Sequence, residues 1–225
     1  MNDNMNTEAT ARGTARVEAL ADQIRQRILS GDFAPGQRLV EIDLSEDFSA
    51  PRRAVREALA TLSYEGLVEI VANRGARVRI VDAEEALHLA EARFALEALC
   101  LERAAERAKP TDIAELRRIG NEMSNAAAAN DAHAFARLTG ELRSAYVALA
   151  DQPVATELLQ GLRDRNARFS RRLTELPGWP ATALPHRIAI IDALAAGDGA
   201  SARAALRKHF ECWIEATSQL ENQSR

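Results

Sequence analysis

The sequence predicts a mainly α fold in two parts: a small unit of three helices with a β hairpin, then an all-α bundle. Three observations predict it. Apolar residues between Val17 and Leu62 recur at helical spacing in three blocks separated by Gly and Pro. Two short alternating runs, Val68–Ile70 and Ala76–Ile80, flank Asn73-Arg74-Gly75 as strands flank a turn. After Asp82 the chain consists of long Ala/Leu/Glu/Arg segments, for which helix is the favoured state.

Residues 1–15 are polar, hold no apolar core of a signal peptide and bury little, so a disordered arm is expected there. The first helix, Val17–Ser30, carries Val17, Leu20, Ile24, Ile28 and Leu29 at helical spacing, and Gly31 with Pro35-Gly36 ends it. A second, shorter helix runs from Val40 or Glu41 to Phe48. Pro51 suits the first turn of a third, where a missing amide hydrogen costs little. Arg52 and Arg56 stand four residues apart and share one face of that helix, while Val55, Leu59 and Leu62 fall opposite and anchor it. Two short helices, the second with arginines at its start, make a helix-turn-helix, and the hairpin makes its wing. This unit is placed at residues 16–81.

Residues 82–222 are expected to form the bundle, with helices near Ala83–Ala108, Thr111–Ala128, Asp131–Ala150, Pro153–Leu173, Pro185–Ala195 and Gly199–Leu220. Thr111 and Asp131 lie where capping side chains are favoured. Pro110, Pro153 and Pro177-Gly178-Trp179-Pro180 interrupt the pattern. Cys100 and Cys212 form no CxxC pair and are expected to be buried thiols in a reducing compartment.

The formal net charge of −4 does not favour DNA as a partner, but phosphate contact depends on where the cations sit. From Ser49 to Arg56 there are three arginines and no acid, and Arg74, Arg77 and Arg79 add a second cluster on the wing. Acids are expected on outer helices instead, including Glu84, Glu85, Glu91, Glu97 and Glu102. No apolar run reaches membrane-spanning length, so a cytoplasmic protein without membrane contact is expected. No nucleophile–base pair, phosphate-binding glycine loop or HExxH motif marks an enzyme.

The order of Ile28-Leu29-Ser30-Gly31, Pro35-Gly36-Gln37-Arg38-Leu39, Leu44-Ser45-Glu46-Asp47-Phe48, Arg52, Val55-Arg56-Glu57-Ala58-Leu59, Glu65-Gly66-Leu67-Val68 and Asn73-Arg74-Gly75 resembles the winged helix of the GntR family of bacterial transcription regulators. The resemblance implies that Arg52 and Arg56 reach base edges and phosphates of double-stranded DNA, that Arg53 adds a phosphate contact, and that Arg74 and the Gly75 backbone approach the minor groove. The family commonly reads Ser-Arg-Thr-Pro where this chain reads Pro51-Arg52-Arg53-Ala54, and Ile42 stands where an arginine often contacts DNA. Arg38 is a candidate to compensate. The operator is therefore expected to depart from the commonest family pattern.

The helical half resembles the FadR-like C-terminal ligand-binding domain, FCD, through Glu91-Ala92-Arg93 with Leu96-Glu97, Leu149-Ala150-Asp151-Gln152-Pro153, Arg187, Ile191-Asp192-Ala193-Leu194, Asp198, Arg203-Ala204-Ala205-Leu206 and His209. Many such domains hold a divalent metal with one Asp and three His, and the metal binds a carboxylate effector. Carried over, the four ligand positions fall on Thr139, Arg143, Arg187 and His209. His186 is one residue off register, a turn of about 100° on a helix. His88 and His133 have no partners at ligand spacing. Guanidinium groups offer no lone pair, so no metal or other cofactor is expected. Arg143 and Arg187 are instead expected to grip a small anionic effector, a carboxylate or similar, with Arg93 as a third cation and Thr139 and His209 as hydrogen-bond donors. Two alternatives stand beside this: arginines paired with internal acids such as Glu141 or Asp192 or extended to the surface, and a metal arrangement with other donors.

The resemblance implies a homodimeric regulator, a repressor in this reading, that binds a palindromic operator and responds to that effector. The alternative is an effector-independent regulator whose C-terminal domain only dimerises.

Overall fold

The computed structural model describes residues 2–71, 75–167, 172–173 and 176–222, and their side chains except those of residues 2–13, 83 and 219–222. The chain divides into two compact units, Met1–Val81 and Asp82–Arg225.

In the first unit, helices α1 (Asn2–Ser30), α2 (Glu41–Asp47) and α3 (Arg52–Tyr64) accompany strands β1 (Arg38–Leu39), β2 (Val68–Val71) and β3 (Gly75–Val78). The arm expected to be disordered over residues 1–15 is instead helical from Asn2. Thr7 to Ala15 holds three alanines and no Pro, so helix propensity carries α1 back from its packed turns. Those packed turns bury Leu20, Ala21 and Ile24 in a common core with Leu44, Val55, Ala58, Leu59, Leu62, Val68 and Val78. Gly31, at φ +88°, ends α1 with its amide on the Ile28 carbonyl. Arg25 ties α1 to the end of α3 by donating to both oxygens of Glu65 at 2.9 and 2.6 Å.

The sheet order is β1-β3-β2, antiparallel throughout. Val68 pairs with Val78 and Ile70 with Ala76, as the alternation predicts. Strand β1 was not anticipated. At two residues it is too short to show alternation, and it is held by Leu39 pairing with Ala76, both buried.

The second unit comprises α4 (Ala83–Arg107), α5 (Pro110–Ala128), α6 (Ala132–Ala150), α7 (Pro153–Arg165), α8 (Trp179–Ala195) and α9 (Gly199–Asn222). Helix α4 is central and packs against α6, α7, α8 and α9. Asp82 caps α4 by accepting from the Glu85 amide at 2.8 Å, and Asp131 caps α6 by accepting from Ala134 at 2.9 Å. Thr111 does not cap α5. The carboxylate of Asp112 does so, accepting from the Lys109 amide at 2.8 Å. Helix α8 begins at Trp179, earlier than Pro185, which lies inside it. Pro185 sits in the second turn, so it removes a single helical bond while Ala183, Arg187, Ile190, Ile191 and Leu194 keep one face buried. Cys100 is buried, but Cys212 is only partly so.

Candidate functional sites: an arginine-bearing helix and a buried cation cluster

Helix α3 divides cleanly into two faces. Val55, Ala58, Leu59 and Leu62 are buried, and Arg52, Arg53 and Arg56 are exposed. The turn before it places Ser49 at φ +47°, and the Ser45 hydroxyl donates to the Ala50 carbonyl at 2.6 Å. These bonds set the α2–α3 turn. Arg53 donates to Glu57 one turn on at 2.8 Å. Arg56 reaches across to Glu41 on α2, Nε at 3.1 Å and Nη2 at 2.8 Å. Arg52 forms no hydrogen bond or ion pair among the described residues. The side-chain hydrogen bond holds Glu41 below the usual carboxylate range despite some opposing desolvation, with the Arg56 and Arg52 charges adding to the effect.

Gly75 opens β3 at φ +85°, a left-handed backbone that side-chain-bearing residues rarely adopt. Arg74 and Asn73 lie outside the described residues. Arg77 pairs with Glu69 across the sheet at 2.8 Å and faces Arg38 on the other side. Ile42 is 43% exposed on α2.

In the bundle, five helices bring charged and polar side chains together. Arg93 and Glu97 share a face of α4, and Arg93 Nη2 donates to Glu97 Oε1 at 3.0 Å. Arg143, on α6, places Nε 3.5 Å from the same oxygen, an ion pair too long for a sound hydrogen bond. Tyr146, one turn along α6, donates its hydroxyl to Glu97 Oε2 at 2.8 Å. Arg187 on α8 places Nη2 2.7 Å from Nε2 of His209 on α9. A guanidinium can only donate, so His209 accepts at Nε2 and carries its proton on Nδ1. Trp179 and Phe210 rings flank the imidazole, and Arg93 stacks over Phe210 at 5.3 Å.

Almost none of this is exposed: Glu97 is 1% accessible, Arg187 3%, Arg93 and His209 6% each. Burial pushes the Glu97 carboxyl up, but Arg93, Arg143, the Tyr146 hydroxyl and Arg187 outweigh it and hold it at about 2. Burial lowers Arg187 to about 10, aided by the charges of Arg143 and Arg93 and opposed by Tyr146 and Glu97. His209 falls well below its ordinary value, first by burial and then by Arg187, Arg143 and Arg93. It stays neutral.

The residues expected at the effector site therefore meet in part. Arg93, Arg143, Arg187 and His209 converge. Thr139 lies one turn before Arg143, half-buried, and makes no hydrogen bond to the cluster. Neither Glu141 nor Asp192 pairs with these arginines. Glu141 binds Arg118 and Arg137, and Asp192 is exposed. Glu97 corrects the expectation of an outward acid: helices pack around α4 on several sides, so its polar positions are buried too. Two more members were missed. Tyr146 stands one turn after Arg143, but between Ala145 and Val147 it reads as core. Arg163 on α7 is half-buried and lies near enough to Arg143 and Arg93 to be lowered by their charges, after burial itself. Asn166, fully buried at the α7 C-cap, leaves both amide atoms without a partner. A divalent ion does not fit these residues. Of the four family ligand positions two are guanidinium groups, Thr139 offers only a neutral hydroxyl, and Arg187 donates into the His209 lone pair at Nε2.

Residues 88–211 match the FCD domain and residues 16–78 match the bacterial regulatory proteins of the gntR family. The chain belongs to the GntR family. It is thus a DNA-binding transcriptional regulator with an FCD domain, and its relatives are regulators rather than enzymes. The chain is similar to the Nta operon transcriptional regulator of Aminobacter aminovorans, 36% identical over 40% of this chain and 42% of that one. It therefore matches less than half of that relative's length. It also resembles the transcriptional repressor RspR of Escherichia coli, 23% identical over 89% of this chain and 88% of RspR. The solved structure of E. coli McbR/YncC shares the fold, with a TM-score of 0.77, 21% identity and coverage of 92% of this chain and 98% of that one. No helix among the described residues is long and apolar enough to cross a membrane.

Proposed function

We propose that this GntR-family chain is a homodimeric repressor of the cytoplasm that binds a palindromic operator and responds to a small anion in its FCD domain. Repression is carried over from RspR, which bears that name. The observation that carries the DNA reading is the two-faced α3, with Arg52, Arg53 and Arg56 outward over a fully buried apolar face. In this reading Arg52 and Arg56 address base edges, Arg53 a phosphate, and the Gly75 backbone lets the wing approach the duplex. A two-fold dimer spaces two such helices one duplex turn apart, hence the palindrome.

The effector reading rests on buried donors without acceptors: Nε of Arg93, of Arg143 and of Arg187, and Nδ1 of His209. Buried polar groups are normally satisfied, and an anion is the acceptor such donors call for. It changes DNA affinity only if it binds one arrangement of the protein better than another. A second reading draws on Glu97, which already engages Arg93, Arg143 and Tyr146. There the cluster is a structural buttress in a domain that only dimerises. Operator DNA selected from random sequence, followed by binding with and without added anions, separates the two. Binding that never responds to any anion favours the buttress.

A further inference from the structure

We propose that the buried cluster takes a small organic or inorganic anion carrying at least two negative charges, rather than a monocarboxylate. The proposal rests on reading the FCD domain as an effector site. Its ground is a count of charges and of donors within one cluster. Arg93, Arg143 and Arg187 approach from α4, α6 and α8, and all are buried or half-buried. Among the described residues a single carboxylate, Glu97, faces these three, while Arg163 on α7 has Asp164 beside it. Three cations against one anion leave two charges uncompensated. His209 adds none, being neutral.

An uncompensated charge in a closed interior is among the costliest features a fold can hold. One further carboxylate leaves one such cation, and a dianion leaves none. The donor count agrees. Three guanidinium Nε–H groups and the Nδ1–H of His209 lack acceptors. A monocarboxylate brings two oxygens for these donors. A dicarboxylate brings four, and a phosphate group three or four with tetrahedral spread. Dicarboxylates and phosphate-bearing anions share this chemistry, and the experiment distinguishes them.

The test uses the full chain at pH 8, with ionic strength held constant by sodium chloride. Succinate, citrate and inorganic phosphate are compared with butyrate by thermal unfolding and by calorimetry. At least one polyanion is expected to raise the unfolding midpoint by several degrees and to bind at least tenfold tighter than butyrate. Succinate or citrate alone identifies a carboxylate source, and phosphate alone a phosphoryl one. Butyrate acting as strongly as every polyanion overturns the proposal while sparing the anion-effector reading. No response to any of the four overturns the proposal and counts against that reading as well. Arg187→Met supplies an independent measure. Removing a surplus cation is expected to leave the ligand-free midpoint unchanged or higher, and to abolish the polyanion's gain. Arg143→Met, at the least buried of the three cations, serves the same purpose with less disturbance of packing. A lowered midpoint with the polyanion's gain retained in both variants sinks the idea.

Discussion

Arg56 and Glu41 are joined by two hydrogen bonds across the α2–α3 turn, at 3.1 and 2.8 Å, on the same surface as Arg52. Arg56 is therefore held by an acid in the absence of DNA. Both partners are accessible, and such pairs add little to stability. Their effect is on binding. Glu41→Gln removes a negative charge that faces incoming phosphates and frees Arg56, so affinity for unrelated DNA should rise by about 2- to 5-fold at low salt. Discrimination between operator and unrelated DNA should fall, and the unfolding midpoint should hardly change. Fluorescence anisotropy at two salt concentrations measures all but the last. A weaker grip on unrelated DNA would show that Glu41 positions Arg56 rather than restraining it.

Arg52 has no such competitor. Arg52→Ala should weaken operator binding by about 10- to 100-fold and relax the preference at one base position. Arg53→Ala should weaken all sequences alike, with a shallower dependence on salt. Titrations against a panel of single-base operator variants separate the two patterns. An Arg52→Ala protein with an unaltered panel would remove that residue from the base-reading set.

Glu97→Ala strips the internal carboxylate from its arginines. Leaving those cations buried and unpaired should cost about 3–5 kcal/mol, measured by urea unfolding. The native carboxyl titrates at about 2, well below an unfolded glutamate, so the stability it lends is complete above about 4.5. That contribution drains away as pH falls from about 4.5 towards 2. Glu97→Gln should flatten this part of the stability profile.

His209 gives a second window, at higher pH. Its native pKa is depressed well below 6.5, so below about 6.5 the unfolded chain takes up a proton that the folded chain refuses. Stability should therefore decline as pH drops from 7 to 5, and His209→Asn should lose that slope. The remaining histidines are the same in both proteins, so the difference between the two profiles isolates the imidazole on α9.

Gly199 begins α9 against the backbone of α4. A Cβ there would stand 2.9 Å from the Glu102 Cα, and a main-chain neighbour cannot step aside as a side chain can. Gly199→Ala should cost about 1–3 kcal/mol in urea unfolding. Gly140→Ala, with nothing within 4 Å, should be neutral or slightly stabilising on helix propensity.

Much of the fold was legible because its signals are local. Gly31 stops α1, Asp131 caps α6, and the alternation around Asn73 sets the hairpin register. The site was legible only where a family position could be carried over, which brought together Arg143, Arg187 and His209. Glu97 and Tyr146 were hidden because α4 and α6 are packed on more than one side, so burial no longer follows a single helical stripe. Arg163 was hidden differently: nothing local marks which of the two arginines near the end of α7 feels the cluster's charges. Strand β1 and the α8 segment ahead of Pro185 were missed because each is set by tertiary packing rather than by its own residues.

If the cluster takes an anion as proposed, the 3.0 Å contact between Arg93 and Glu97 makes its uptake an exchange rather than a simple addition. The carboxylate is tethered to the same helix as one of its cations, so it competes at a local concentration far above that of any free acid. An incoming anion has to outbid a rival that never diffuses away. In that reading acetate, chloride and other ubiquitous weak binders fall below a threshold, and the regulator is expected to stay silent in their presence.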